Sequence, residues 1–112
     1  MKFYDEETMQ EIRKELEGKI LQWQGVKPKE MMGCLTYFCG KKFFAFLVTN
    51  GIVLTKLSED HRLTLSKNMG GEPFEMASKT VKTWIKVPLK KPKDVKLVLP
   101  FVKKSYDGAL KT

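Results

Sequence analysis

Few side chains in this sequence are suited to catalysis, and they are scattered. His61 is the single histidine, and it follows Asp60 in a segment predicted to form the first turn of a surface helix. A general base needs a positioned partner and a pKa that its surroundings have tuned. We therefore interpret His61 as an ordinary surface histidine, and we expect a protein that is not an enzyme and has no catalytic residue.

The two cysteines do not form a recognisable redox or metal site. Cys34 and Cys39 are five positions apart on one predicted strand, so their side chains should point to opposite faces. This spacing is not that of a Cys-x-x-Cys pair, and it argues against a mutual disulfide. With one histidine, a four-ligand zinc site cannot be assembled from cysteine and histidine alone. We interpret both cysteines as core residues and predict no metal site.

The glycines are interpreted as turn residues. Neither Gly40 nor the pair Gly70 and Gly71 is followed by the Gly-Lys-Ser/Thr sequence of a phosphate-binding loop. No cofactor and no small-molecule substrate are expected.

The residues most suggestive of binding are Lys82, Trp84 and Lys86. At a period of two they would share one face of a strand, with an aromatic ring between two cations. Such a surface can stack a base and hold its phosphates. Three further lysines would extend the charge: Lys90, Lys91 and Lys93. The alternative, which we favour, is that Trp84 packs under a helix while the lysine stems reach outward.

Composition sets the class of protein and leaves its partner open. The chain has 112 residues, a net charge of +8 and 42% hydrophobic residues, which suits one globular domain spanning residues 1–112. Residues 71–112 carry ten basic and four acidic side chains. That asymmetry permits an anionic partner, either nucleic acid or an acidic protein, although we favour a solvated lysine-rich surface as its explanation.

No feature of the sequence indicates a membrane or secretion. The first residues, MKFYDEETMQ, lack the apolar segment of a secretory signal. No apolar run approaches the roughly 20 residues of a membrane span. We expect a cytoplasmic protein without membrane contact.

Residues 31–57 organise the chain, since they predict two consecutive β-hairpins with strands at 32–39, 42–48 and 52–57. The first turn would centre on Cys39-Gly40 or Gly40-Lys41. The second would centre on Asn50-Gly51, the favoured pair for a two-residue loop, and would place Val48 opposite Val53.

Both faces of this predicted sheet are apolar. One face would hold Leu35, Tyr37, Phe44, Phe46, Val48, Val53 and Leu57. The other would hold Cys34, Phe38, Phe43, Ala45, Leu47, Ile52 and Leu54. Since an antiparallel sheet with one wet side should alternate, a helix or a second copy of the protein must cover the second face. We expect self-association as a homodimer through five residues of that face: Phe38, Phe43, Leu47, Ile52 and Leu54.

Helices are predicted at 5–23, 59–69 and 93–111. The first has an apolar face of Met9, Ile12, Leu16, Ile20 and Trp23. The second begins after Ser58, a good N-cap, and ends at Gly70 and Gly71. The third has a stripe of Val95, Val98, Leu99, Val102, Tyr106 and Leu110, with Pro100 either kinking it or opening its regular part. A strand containing Phe74 and Met76, a turn at Ser78-Lys79 and a strand at 80–87 complete five strands.

This order of elements resembles the N-terminal domain of the TfoX competence regulators. The resemblance covers residues 4–110 and rests on four short motifs in their order and spacing. They are Met31-Met32-Gly33, Gly40-Lys41, Phe74-Glu75-Met76 and Lys82-Thr83-Trp84-Ile85-Lys86-Val87-Pro88. The chain departs from the family where Met32 and Cys34 replace phenylalanine and glycine, and where Lys56 stands at a frequent arginine.

The resemblance implies an α+β fold with a five-stranded curved antiparallel sheet flanked by helices, related in topology to the type III secretion chaperones. It also implies a non-catalytic role in regulation or in contacting other proteins. The full-length regulators carry a further C-terminal domain, and a role in competence is not carried over. The function expected is a protein-interaction module, and the alternative is a nucleic-acid-binding module that uses the basic C-terminal third.

Overall fold

The structure is a computed structural model that describes residues 4–31, 33–76 and 79–111, apart from the side chain of Met76. The described elements are three helices and six strands in the order α1 (Glu6–Ile20), β1 (Val26–Met31), β2 (Cys34–Cys39), β3 (Lys42–Val48), β4 (Gly51–Leu54), α2 (Glu59–Met69), β5 (Glu72–Met76), β6 (Lys79–Pro88) and α3 (Asp94–Lys111). The strands form one antiparallel sheet in the order β1-β2-β3-β4-β6-β5. The predicted α+β class is confirmed, but the predicted number of strands is wrong.

The strand missing from the prediction is β1. Pro28, of a residue type that usually interrupts a strand, lies inside β1 opposite Tyr37. Proline is tolerated there because β1 is an edge strand, so the missing N–H can face away from the sheet. The opposite edge strand, β5, contains Pro73.

The two hairpin turns differ from each other. Cys39 pairs with Lys42, so Gly40 and Lys41 form the first turn, one of the two predicted options. Val48 pairs with Gly51 rather than with Val53, so the second turn is Thr49-Asn50 and the predicted register is wrong by two residues. Asn50 has a φ of 64°, whereas Gly51 is favoured by the close approach of β6. A Cβ on Gly51 would lie 3.0 Å from the Val87 carbonyl oxygen of β6.

A β-bulge in β3 reverses part of the predicted division into faces. Tyr37 pairs with Ala45 but Phe38 pairs with Phe43, so Phe44 is an extra residue in β3. Beyond the bulge, the residues of β3 and β4 lie on the opposite face relative to β2 from the one predicted. Leu35 and Tyr37 therefore share a face with Ala45, Leu47, Ile52 and Leu54, and not with Phe46, Val48 and Val53.

The main core lies between this face and the three helices. Its helical members include Met9, Ile12, Leu16 and Ile20 of α1, as predicted, together with Leu65 of α2 and Val95, Val98, Val102 and Tyr106 of α3. Helix α2 has the predicted bounds. Ser58 Oγ accepts a hydrogen bond from the His61 amide at 3.3 Å, and Gly70 ends the helix with a φ of 70°.

Some predicted details of the helices are wrong. Helix α1 ends at Ile20, and Trp23 lies beyond it, half-buried against Phe44 and Tyr106. Leu110 is 57% exposed, because Ala109 takes the buried position one turn after Tyr106. Pro100 lies in the interior of α3. Met32 and Ser78, which were predicted to lie in a strand and a turn, are outside the described residues.

Candidate functional site

The sheet carries a second apolar cluster on the side opposite the helices. We call this side the helix-free face, because among the described residues no member of α1, α2 or α3 belongs to its cluster. The buried members are Cys34, Phe46, Val48, Val53 and Phe74, and Trp84 packs against them.

The centre of the helix-free face is buried by its own side chains. The ring centroids of Phe46 in β3 and Phe74 in β5 are 5.3 Å apart, although β4 and β6 lie between those strands. Three strand spacings in a flat sheet amount to about 14 Å, so the sheet curls toward this face and the rings lean together. Each ring is only 4% exposed. Neither a helix nor a second copy of the protein, the two covers expected from the sequence, is needed to bury this centre.

Three aromatic side chains on the helix-free face remain half-buried, and we call Phe38, Phe43 and Trp84 the aromatic patch. The Phe38 and Phe43 ring centroids are 6.0 Å apart with an interplanar angle of 69°. Those of Phe43 and Trp84 are 5.6 Å apart at 84°. This edge-to-face arrangement is the favoured one for aromatic pairs. The patch is thus a continuous row of rings with one side toward solvent.

Two exposed lysines of β1 border the patch. Lys27 is directly opposite Phe38, and Lys29 is directly opposite Thr36, which is in turn opposite Phe46. Directly paired residues of antiparallel strands share a face. Both lysines therefore lie along the helix-free face at the β1 edge.

Two more lysines lie on other sides of the patch. Lys56 Nζ is 5.6 Å from the Phe43 ring centroid, within the range of a cation–π interaction. Lys86 is opposite Val53 on one side and Glu72 on the other, so it belongs to the same face. The described charges around the patch are mainly positive, with Glu72 next to Lys86.

The structure separates Lys82 from Trp84 and Lys86. Pro73 pairs with Ile85 while Phe74 pairs with Val81, so residues 82–84 of β6 have no partners in β5. This irregularity rotates the strand, and Lys82 lines a groove of about 430 Å³ together with Arg62 and Leu63 of α2. The prediction that all three residues share one sheet face is therefore wrong for Lys82.

The lysines before α3 lie in an ordered, exposed loop. The amides of Lys90 and Lys91 donate to Asp94 Oδ2 at 2.9 and 3.0 Å, and these bonds hold the pKa of Asp94 below its usual range. The side chains of both lysines, and of Lys93, are exposed. The loop presents charge without an aromatic ring of its own.

The predicted self-association surface is not one surface. Leu47, Ile52 and Leu54 have no exposed area and pack in the main core under the helices. Phe38 and Phe43 are on the opposite, helix-free face, because the bulge at Phe44 breaks the alternation that grouped all five.

Cys34 and Cys39 lie on opposite faces of the sheet, and His61 lies half-buried in the first turn of α2. Cys34 is buried on the helix-free face, where burial raises its pKa to about 11, so the thiol is protonated at neutral pH. Cys39 packs against the main core on the other face. His61 Nδ1 is 3.0 Å from Ser58 Oγ at the start of α2, and its ring contacts Phe101.

A hydrogen-bonded network that the sequence did not reveal joins α1 to the sheet. Arg13 bonds Glu6 Oε1 at 2.7 Å and Glu17 Oε2 at 3.0 Å. The Tyr4 hydroxyl donates to the same Glu6 oxygen at 2.7 Å, and the Tyr37 hydroxyl donates to the same Glu17 oxygen at 2.9 Å. The i,i+4 spacing of Arg13 and Glu17 was a visible signal, but the partners from Tyr4 and β2 were not.

Neither a metal-binding cluster among the described residues nor a similar known protein indicates a function. Within residues 4–31, 33–76 and 79–111, no three His, Cys, Asp or Glu side chains are grouped to hold a metal ion. No described helix has the length and hydrophobicity needed to cross a lipid bilayer. No protein-family model matches the chain, and no curated protein or solved structure matches it either.

Proposed function

We propose that this protein is a non-catalytic protein-interaction module related to the TfoX N-terminal domain, and that it contacts its partner through the aromatic patch. The observation that carries the proposal is the row of half-buried rings, Phe38, Phe43 and Trp84, on a face that no described helix covers. Aromatic side chains dominate the centres of protein interfaces because they bury a large area at small entropic cost.

The two edge strands support the proposal that the partner binds the helix-free face and not an edge of the sheet. Each outer strand contains a proline, Pro28 in β1 and Pro73 in β5, and each also carries charged side chains. These features disfavour the addition of a further strand. A partner that added a strand at either edge would lose ladder hydrogen bonds, whereas a partner on the helix-free face would not.

The geometry gives less support to nucleic-acid binding. Trp84 is enclosed by three rings, with centroids 5.6, 5.5 and 6.5 Å away for Phe43, Phe46 and Phe74. Base stacking needs an open ring face. Lys82, one of the two cations that would hold the phosphates beside Trp84, lines the α2 groove instead.

Photocrosslinking at the patch tests the proposal. A benzophenone amino acid would replace Phe38 in one variant and Leu97 in another. Leu97 is a 63% exposed residue of α3 and serves as the apolar control. In irradiated cells that make this protein natively, we expect position 38 to give a discrete protein adduct, identified by mass spectrometry, and position 97 to give none.

The same experiment can contradict the proposal. Equal labelling from positions 38 and 97 would indicate chance collisions, and no protein adduct from position 38 would leave the patch without a protein partner. An adduct with nucleic acid alone would favour the alternative. A second copy of the chain as the adduct would retain the interaction module but make its partner the protein itself.

A further inference from the structure

We infer that the occupant of the helix-free face is an acidic protein segment with interspersed apolar side chains, rather than a second copy of this chain. This inference rests on the proposed function and adds the chemistry of the partner. It follows from the charges around the aromatic patch.

The lysines at the border of the patch are largely uncompensated. Among the described residues, the ion pairs belong to Arg13 in α1 and Lys103 in α3. Lys27, Lys29 and Lys56 form none with the described residues. Lys27 and Lys29 lie at the β1 edge of the row of rings, and Lys56 lies over Phe43. An occupant that brings carboxylates to this border gains charge complementarity that the monomer does not supply.

A second copy would bring the wrong charge. In a two-fold dimer each partner presents the same surface, so lysines would approach lysines around two aromatic patches. Like charges facing one another across an interface are destabilising. The chain as a whole carries a net charge of +8, which adds to this repulsion.

Phosphates would also complement the lysines, but the bases would lack a place to stack. Neighbouring rings of the patch meet at 69° and 84°, so each ring edge is placed against the face of the next. Such a surface suits aliphatic and aromatic side chains that fill gaps between rings. Carboxylates at the border and apolar groups at the centre are the combination that the face accommodates.

The test uses a short fluorescein-labelled peptide in which glutamate alternates with leucine and phenylalanine, followed by anisotropy at low and at near-physiological salt. Two comparison peptides carry lysine for glutamate, or serine for the apolar residues, and an oligothymidylate is the nucleic-acid probe. The decisive variants are the triple K27Q/K29Q/K56Q and the control triple K90Q/K91Q/K93Q. Both remove the same charge from exposed or half-exposed positions.

We expect the wild type to bind the acidic apolar peptide and to bind both comparison peptides more weakly. The first triple should weaken binding about tenfold and the control triple less than about twofold, since three exposed charge pairs are lost only in the first. Circular dichroism would show that both triples are folded.

Several results would overturn the inference. They are no binding of the acidic peptide, equal loss in both triples, tighter binding of the oligothymidylate with the same dependence on the three lysines, or a dimer in light scattering that excludes the peptide. If the peptide experiment gives one of these results but position 38 still forms a protein adduct, the acidic partner is ruled out and the proposed function stands. Failure at position 38 removes the proposed function itself.

Discussion

The phenol of Tyr37 donates a hydrogen bond of 2.9 Å to Glu17 Oε2, and it does so from a side chain with no exposed area. Burial, and then the charge of Glu17, raise the pKa of Tyr37 far above its usual value, so the hydroxyl stays protonated and remains a donor. Arg13 Nε donates to the same carboxylate oxygen at 3.0 Å, so Glu17 Oε2 both pairs with Arg13 within α1 and joins α1 to β2.

Replacing Tyr37 with phenylalanine should lower the free energy of unfolding by about 2 kcal/mol, because it removes a bond to a charged acceptor. Tyr106→Phe is the matched control. Its hydroxyl donates to the neutral Gln24 carbonyl oxygen at 2.7 Å, so its loss should cost about 1 kcal/mol. Urea unfolding followed by circular dichroism measures both. If Tyr37→Phe lowered the free energy of unfolding less than Tyr106→Phe does, the bond to the charged Glu17 would not be the stronger of the two.

The contact between α3 and the segment that follows β4 requires a glycine. A Cβ on Gly108 would overlap the Lys56 carbonyl oxygen, so the helix would have to move away from this segment. Gly108→Ala should therefore destabilise the fold by about 2 kcal/mol. Gly18, in α1, has no atom within 4 Å of the same added group. Gly18→Ala should stabilise the fold by about 0.5 kcal/mol, since alanine favours a helix. If thermal unfolding showed that both substitutions stabilise the fold, or that both destabilise it, this reasoning would be contradicted.

The Tyr4 hydroxyl, with a smaller contribution from Arg13, holds the pKa of Glu6 below its usual value of 4.5. A carboxyl group whose pKa is lowered by folding stabilises the fold above its unfolded pKa and loses that contribution as the pH falls through its folded pKa. Glu6→Gln should therefore be less stable than the wild type at neutral pH. The two urea midpoints should converge as the pH falls below about 4.5. A difference between Glu6→Gln and wild type that grows in acid would contradict the network.

The packing of Trp84 against three rings predicts that this residue stabilises the fold. Trp84→Ala should lower the free energy of unfolding by about 3 kcal/mol, and Trp84→Phe by about 1 kcal/mol. Phe38→Ala should cost less than Trp84→Ala, because among the described residues the ring of Phe38 contacts only the ring of Phe43. If Trp84→Ala had the stability of the wild type, the side chain would be held for a ligand and not for the fold.

The elements with local signals were predictable from the sequence. The four-residue spacing of apolar residues in α1, the cap at Ser58 and the stop at Gly70 all depend on side chains within a few positions, and they occur where expected. β1 was not predictable in this way, because Pro28 is compatible with a strand only at an edge. The position of a strand within a sheet is not a local property of its residues.

The candidate site was only partly predictable. Phe38, Phe43, Trp84 and Lys86 were singled out from the sequence and do share a face. Strict alternation wrongly placed Leu47 on the face of Phe38 and Phe43. It also wrongly placed Lys82 on the face of Trp84 and Lys86. In both cases an irregularity in strand pairing, at Phe44 and between Pro73 and Phe74, changes the face of the residues that follow it. Alternation in the sequence does not show where such an irregularity falls.

The extra residue at Phe44 has a consequence for length changes in this gene. Deleting the Phe44 codon would leave Phe38 opposite Phe43 and Tyr37 opposite Ala45, so β2 and β3 would keep their inner and outer faces. The cost of the deletion would be the ring of Phe44, which has no exposed area. A deep mutational scan of residues 42–45 should therefore find deletion of Phe44 about as damaging as Phe44→Ala.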